Sequence, residues 1–301
     1  MSGRDSEQMD IREALEATQQ LINDRIEGFL PEPVGHAQRL LAAMRYACVG
    51  GKRVRAFITL HAAEMFGLEA EPVLPAAIAI EFTHAASLIH DDLPCIDDSP
   101  LRRGMASCHI EFDEHTALLA GAALFVRSYE LFTSIRDDRV PASAIVRVVC
   151  EFAQATGAQG LIGGEAADIE AENAEPDADT LKFIHTNKTG RLIAASARTG
   201  AILAGAEDGP LRTLTEYANH LGLLFQITDD ILDATASDEQ LGKPAGADQN
   251  SAKMTYPALL GLEGAIHRAQ QVASMATAAA EQLPTPDLWM GLTDLVLNRD
   301  K

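Results

Sequence analysis

Apolar side chains at Ile11, Leu15, Ile22, Ile26 and Phe29 recur close to helical spacing, with polar residues between them. This pattern predicts a helix over 9–29 that Pro31 and Pro33 end, a second over 36–48, and a third that begins after Gly50-Gly51. An apolar, Ala-rich helix then runs from Pro72 or Pro75, a residue suited to a first helical turn, to Asp91 and Asp92, where Pro94 stops it. Further along, the spacing predicts a long helix over 108–135, another over 142–156, a helical segment at 160–170 and a surface loop at 171–179. A helix carrying His185 to Arg191, a helix through Asp229, and closing helices over 254–282 and 286–298 complete the chain. There is no repeat of fixed period and no low-complexity tract.

Composition narrows the fold. The 301 residues lie at the upper edge of what one core holds, and 47% apolar with 5% aromatic content, mostly Ala and Leu, favours packed helices. The expectation is an all-α protein with one large domain over 1–301. A formal net charge of −20 disfavours nucleic acid and anionic membrane surfaces as partners. Cys48, Cys95, Cys108 and Cys150 lack CxxC spacing, which fits reduced thiols. The N-terminus is too polar for a signal peptide, and charges such as Glu81 and Arg191 interrupt the long apolar runs. These features predict a cytoplasmic protein without stable membrane insertion.

The candidate chemistry sits at the end of the Ala-rich helix. Asp91, Asp92, Asp97 and Asp98 crowd into eight positions, and Arg102 and Arg103 follow at once. Like charges this close repel unless a cation sits among them, and oxygen ligands suit Mg²⁺, while arginines supply planar donors for phosphate. The stretch reads either as a site for a metal-bound polyphosphate or as an acidic helix end running into a solvated loop. A second cluster weighs toward the first reading: Asp229 and Asp233 share a helical face with Gln226, and Asp230 lies beside them. Asp97, beyond Pro94, must fold back through a loop to share a cation with Asp91 and Asp92.

Lys52, Arg53 and Arg55 stand in a first helical turn, where the dipole prefers anions, so either they are tolerated at the surface or an anion lies over them. His84 alone reads as a core histidine. Glu165 and Asp168 share a face that is open to a solvated reading, and Gly190 hints at a kink or a close ligand. If the two aspartate clusters, about 140 residues apart, face each other across the bundle, Mg²⁺ ions could bridge them through a diphosphate, with Arg102, Lys188 and Lys243 taking the remaining charge. No nucleophile triad, P-loop or dinucleotide fingerprint is present, which points to catalysis by ionisation.

The motifs GGKRVR (50–55), SLIHDDLPCID (87–97), LRRG (101–104), GGEAAD (163–168), NKTG (187–190), FQITDDILD (225–233), LGKPAGAD (241–248) and KMTYPALLG (253–261) occur in this order. In them the chain resembles the trans-type polyprenyl diphosphate synthases of the bacterial farnesyl and geranylgeranyl branch. The resemblance implies one large, single-domain α-helical bundle with a central active-site cavity, a homodimer, and three Mg²⁺ ions around an allylic diphosphate. It assigns Asp91, Asp92, Asp97, Asp229, Asp230 and Asp233 to metal, and Lys52, Arg55, His84 and Arg103 to isopentenyl diphosphate. Arg102, Lys188 and Lys243 fall to the allylic diphosphate (dimethylallyl, geranyl or farnesyl), Thr189 and Gln226 complete the site, and Lys253 contacts phosphate.

The chain departs from the family pattern at Ser99, Pro100, Met105 and Ala106, at Glu165 in place of glutamine, and at Ala122 in place of aspartate. Product length in this family follows bulk on the helix before the first motif, where Ala86, flanked by Ala85 and Ser87, is small. The expectation is therefore geranylgeranyl diphosphate. Farnesyl diphosphate is the alternative should Phe82 supply the floor; a weakly active or non-catalytic subunit and a terpene cyclase are the more distant readings.

Overall fold

The computed structural model describes residues 10–32, 35–172, 174–175, 177–235 and 253–299. Its helices are α1 Ile11–Arg25, α2 Gln38–Ala47, α3 Val54–Met65, α4 Ala70–Asp91, α5 Cys108–Glu111, α6 Glu114–Thr133, α7 Ala142–Thr156, α8 Leu161–Glu170, α9 Ala178–Ile184, α10 Arg191–Leu203, α11 Asp208–Thr235, α12 Tyr256–Ala280 and α13 Pro286–Leu297. Side-chain caps set several starts: Asp10 accepts from the Arg12 amide (3.2 Å), and Asp177 from the Thr180 amide (2.8 Å). Pro286 opens α13 in the first turn, where its missing N–H costs nothing. The all-α expectation holds.

Four sequence expectations need correction. The helix predicted over 108–135 is two, because Asp113 caps a new start by accepting from the Thr116 amide at 2.7 Å, and Arg39 grips the same carboxylate. α4 begins at Ala70, before both prolines, and Pro75 lies inside it. The segment His185–Gly190 is a π-helical turn rather than α-helix. Gly261, at φ 71°, breaks the helical path within α12. Pro33 lies outside the described residues.

Two helices form the centre. From Val73 to Ile89 nearly every position of α4 is buried, and from Leu192 to Leu203 so is nearly every position of α10. α4 is apolar nearly all round, the mark of a helix enclosed by others, while α10 keeps one polar edge where Arg198 pairs with Glu151 at 2.7 Å. α3 packs against both of them, α6 covers α4, and α7 and α11 cover α10. By length and composition α4 could also cross a membrane, but here it is the core of a bundle. The four cysteines are unbonded, Cys48 and Cys108 being buried.

Candidate active site

The acidic end of α4 is shaped by two tight turns. After Pro94 the chain doubles back, and the Asp97 amide donates to the Asp91 carbonyl at 2.9 Å, which returns Asp97 to the helix end. Leu101–Arg102 and Met105–Ala106 then pair as a two-stranded hairpin, β1 and β2, that helical spacing had hidden. Its two-residue turn needs positive φ at both positions, met by Arg103 (54°) and Gly104 (75°). The hairpin sends two adjacent arginines to different places. Arg102 grips buried Asp92, its Nε lying 3.0 and 3.1 Å from the two carboxylate oxygens, while Arg103 donates to the carbonyls of Val49 (3.0 Å) and Gly50 (3.2 Å).

The π turn faces this cluster. Lys188 Nζ lies 2.6 Å from Asp168 Oδ2 and 2.7 Å from Glu165 Oε2, both carried by α8. Lys253 binds Asp97 at 2.7 Å and lies 3.7 Å from Asp168. Burial opposes both ammonium groups, but Asp168, Glu165 and Asp91 raise the pKa of Lys188, and Asp97 and Asp168 raise that of Lys253. Half-buried Asp91 has its carboxyl pushed up to about 7, first by burial and then by the charge of Glu165. A carboxylate set this crowded calls for more positive charge than the described side chains provide.

The second cluster lies across the same turn. Buried Asp230 accepts from the Tyr256 amide at 2.8 Å and lies 3.6 Å from His185, whose pKa burial lowers to about 4. Thr189 donates to Gln226. Asp233 is buried on the same face of α11, whereas Asp229 is exposed and pairs with Arg299 at 2.7 Å. The segment from Lys253 to Tyr256 touches Asp97 with one end and Asp230 with the other, and three residues of chain span at most about 11 Å. The two clusters thus meet around His185–Gly190. That turn approaches α11 closely at Gly190, because a Cβ on Gly222 would lie 2.8 Å from the Gly190 Cα.

About two turns before Asp91, at His84 on the same face of α4, lies a second cationic nest. Arg53, counted from sequence among the cations awaiting an anion or lying at the surface, finds its anion within the protein: it is buried, 3.4 Å from Glu81, and donates to the Cys48 carbonyl at 2.6 Å. Glu81 also accepts from the Ala56 amide at 3.0 Å, so it supplies the anion that the start of α3 prefers. Arg55 and Arg103 remain, and burial lowers the pKa of each. Among the described residues, Arg55 Nε is buried without a hydrogen-bond partner. Burial and then the charges of Arg55, Arg103, Arg102 and Arg53 push His84 well below its ordinary value, so it is neutral at pH 7. Lys52 belongs to the same Gly50–Arg55 stretch.

Phe82 and Ala86 are fully enclosed in α4, and Ser87 nearly so. Lys243 lies outside the described residues. The motifs did not single out Arg299, Glu81 or His185. Arg299 follows the last helix with no pattern around it, and only tertiary packing, including its guanidinium 4.7 Å from the Phe225 ring centroid, brings it to Asp229.

The polyprenyl synthetase family model matches residues 37–284. The farnesyl diphosphate synthase of Escherichia coli (strain K12) is 38% identical over 299 residues, covering 97% of this chain and 100% of that protein. Geranylgeranyl pyrophosphate synthase 11, chloroplastic, of Arabidopsis thaliana is 42% identical over 256 residues, covering 83% of this chain and 71% of that protein. The apo crystal structure of an FPP/GFPP synthase from Zymomonas mobilis superposes with a TM-score of 0.84 at 31% identity, over 95% of this chain and 98% of that one. Fold, motif order and coverage agree, and the chain belongs to the polyprenyl synthetase family.

Proposed function

We propose that this short-chain prenyltransferase, acting as one domain over 1–301, condenses isopentenyl diphosphate with an allylic diphosphate and releases geranylgeranyl diphosphate as its main product. The observation that carries the two-substrate reading is the pair of unlike cationic nests set one after the other along α4. One, with Lys188, Lys253 and Arg102, is interleaved with carboxylates and suits a metal-bound diphosphate. The other, with Arg55, Arg103 and neutral His84, carries excess positive charge and suits a bare diphosphate. A cyclase has no use for the second nest.

The donor set of the first nest fits a hard cation such as Mg²⁺, being all carboxylate oxygen and repulsive enough to raise Asp91. Among the described residues no three such side chains converge as a ready-made metal site; Asp92 and Asp97 are each engaged by a cation of the protein. Asp91, Asp92 and Asp97 on one side, and Asp229, Asp230 and Asp233 on the other, are the residues that hold the metal, three ions by the family resemblance. Bound there, the metal supplies charge stabilisation for the departing diphosphate.

The chain's own residues do the rest. Arg102, Lys188 and Lys253, with Lys243, orient the allylic diphosphate so that its C–O bond breaks with the electron pair leaving on diphosphate. The π turn, with Thr189 and Gln226, faces the resulting allylic cation. Lys52, Arg55, His84 and Arg103 hold isopentenyl diphosphate, whose double bond attacks that cation, and the proton then lost passes to the released diphosphate. In Lys52→Ala the KM for isopentenyl diphosphate is expected to rise about tenfold or more, with the allylic KM changed far less. Steady-state kinetics with each substrate varied in turn checks this, and equal weakening of both would reverse the pocket assignment.

The chain-length reading rests on Ala86, small and five residues before Asp91. Each added isoprene unit buries roughly 3–4 kcal/mol of apolar surface at ~0.8 per CH₂, so growth continues until bulk blocks it. Farnesyl diphosphate is the second reading, supported by the name of the Escherichia coli relative and by Phe82 one turn deeper. The test is product analysis of the wild type and Ala86→Tyr with radiolabelled isopentenyl diphosphate. The expected result is a C20 product shortened by at least one unit in the variant; a wild type that stops at C15, or an unchanged variant product, would place the floor elsewhere. Exposed Leu118, Leu119 and Val126 share one face of α6, an apolar patch that supports a homodimer. The reading is completed by a cytoplasmic location.

A further inference from the structure

We propose that Glu165 is an additional carboxylate ligand for the divalent cation that Asp91 and Asp97 bind, giving this chain one more acidic oxygen donor than the family's glutamine provides at that position. The inference rests on the metal reading above and extends it to a residue that the aspartate motifs do not include.

Three observations converge on Glu165. Among the described residues, five carboxylates of the first nest, those of Asp91, Asp92, Asp97, Glu165 and Asp168, pair with three cations, Arg102, Lys188 and Lys253. Two of the five grip the same ammonium, so one negative charge is surplus at Lys188. Asp168 is not the surplus one, because it also has Lys253 at 3.7 Å, and against burial these two lysines hold its carboxyl below the ordinary range. Among the described residues, Glu165 has Lys188 alone, through Oε2, and its Oε1 is buried with no hydrogen-bond partner.

A buried carboxylate oxygen left bare is costly unless something positive is meant for it. Its position is also fixed, since Gly164 presses α8 against the backbone of the π turn. When a diphosphate draws Lys188 toward its own oxygens, Asp168 keeps Lys253 but Glu165 keeps nothing. A divalent cation beside Asp91 relieves both the bare oxygen and the repulsion between Glu165 and Asp91.

The test is Mn²⁺ binding to the full chain in the presence of inorganic diphosphate at pH 8, followed by electron paramagnetic resonance, in wild type, Glu165→Gln and Asp168→Asn. Glutamine is nearly isosteric, and unchanged melting of the metal-free variants verifies the fold. Glu165→Gln is expected to bind Mn²⁺ about tenfold or more weakly than wild type, with Asp168→Asn within about threefold of wild type. Affinity equal to or tighter than wild type in Glu165→Gln would overturn the inference while leaving the metal reading intact. An equal loss in Asp168→Asn would also overturn it, by showing that charge at a distance, not ligation, is at work. A wild type that binds no Mn²⁺ under these conditions would remove the metal reading itself, and the inference with it.

Discussion

Asp91→Asn is expected to lower turnover by about three orders of magnitude at saturating Mg²⁺, because it removes a charged ligand where the departing diphosphate needs stabilisation. The same substitution should make the metal-free protein more stable at pH 8. The Asp91 carboxyl is pushed up to about 7 by burial and by Glu165, above its ordinary value of 3.8. A carboxyl whose folded pKa exceeds its unfolded one binds its proton more tightly when folded. Its ionisation therefore costs nothing below pH 3.8, becomes destabilising as pH rises from there to 7, and costs its full amount above 7. After allowance for solvent screening of a half-buried group, the gain in Asp91→Asn at pH 8 is on the order of 1–2 kcal/mol, with none at pH 3. Denaturant unfolding at the two pH values, beside steady-state kinetics, checks both halves. Near-normal turnover would remove Asp91 from the metal site, and lower stability at pH 8 would remove the repulsion.

Gly164→Ala is expected to cost about 3 kcal/mol of stability, at the upper end for one added methyl group. A Cβ there would lie 2.2 Å from the Lys188 amide nitrogen and 2.7 Å from the Asn187 carbonyl carbon. Both are backbone atoms that no rotamer change moves aside, so α8 and the π turn must separate. That displaces Lys188 and Thr189 together, and a misplacement of about 1 Å lowers turnover about a hundredfold. Urea unfolding together with the allylic KM and kcat measures both effects. Wild-type stability in this variant would show that the contact is looser than it stands.

These contacts explain what sequence reasoning reached and what it did not. Crowded aspartates carry their meaning in their spacing, and Pro94 forces the return that brings Asp97 to the Asp91 carbonyl, so the first cluster was legible. The hairpin was not, because its strands are two residues long and only the Arg103-Gly104 turn marks them. The break at Asp113 was hidden because apolar spacing continues on both sides, although an aspartate followed by a helical run is a start signal. Arg53 reads from sequence like Lys52 and Arg55. Its left-handed φ of 54° turns it inward to Glu81, a partner 28 positions away that no local pattern names. Glu165 and Asp168 were visible as neighbours on one face, but only the π turn shows that both meet Lys188. The floor of the product pocket depends on which side chains line the grown chain, and residue size at Ala86 is one contribution among several.

The most direct test of the account is a condensation assay: purified chain, Mg²⁺, geranyl diphosphate and labelled isopentenyl diphosphate, with products separated by chain length. The account predicts prenyl diphosphates longer by whole C5 units, one diphosphate released per unit added, and no product in excess chelator. Release of diphosphate from the allylic substrate with no label carried into a longer chain would contradict it.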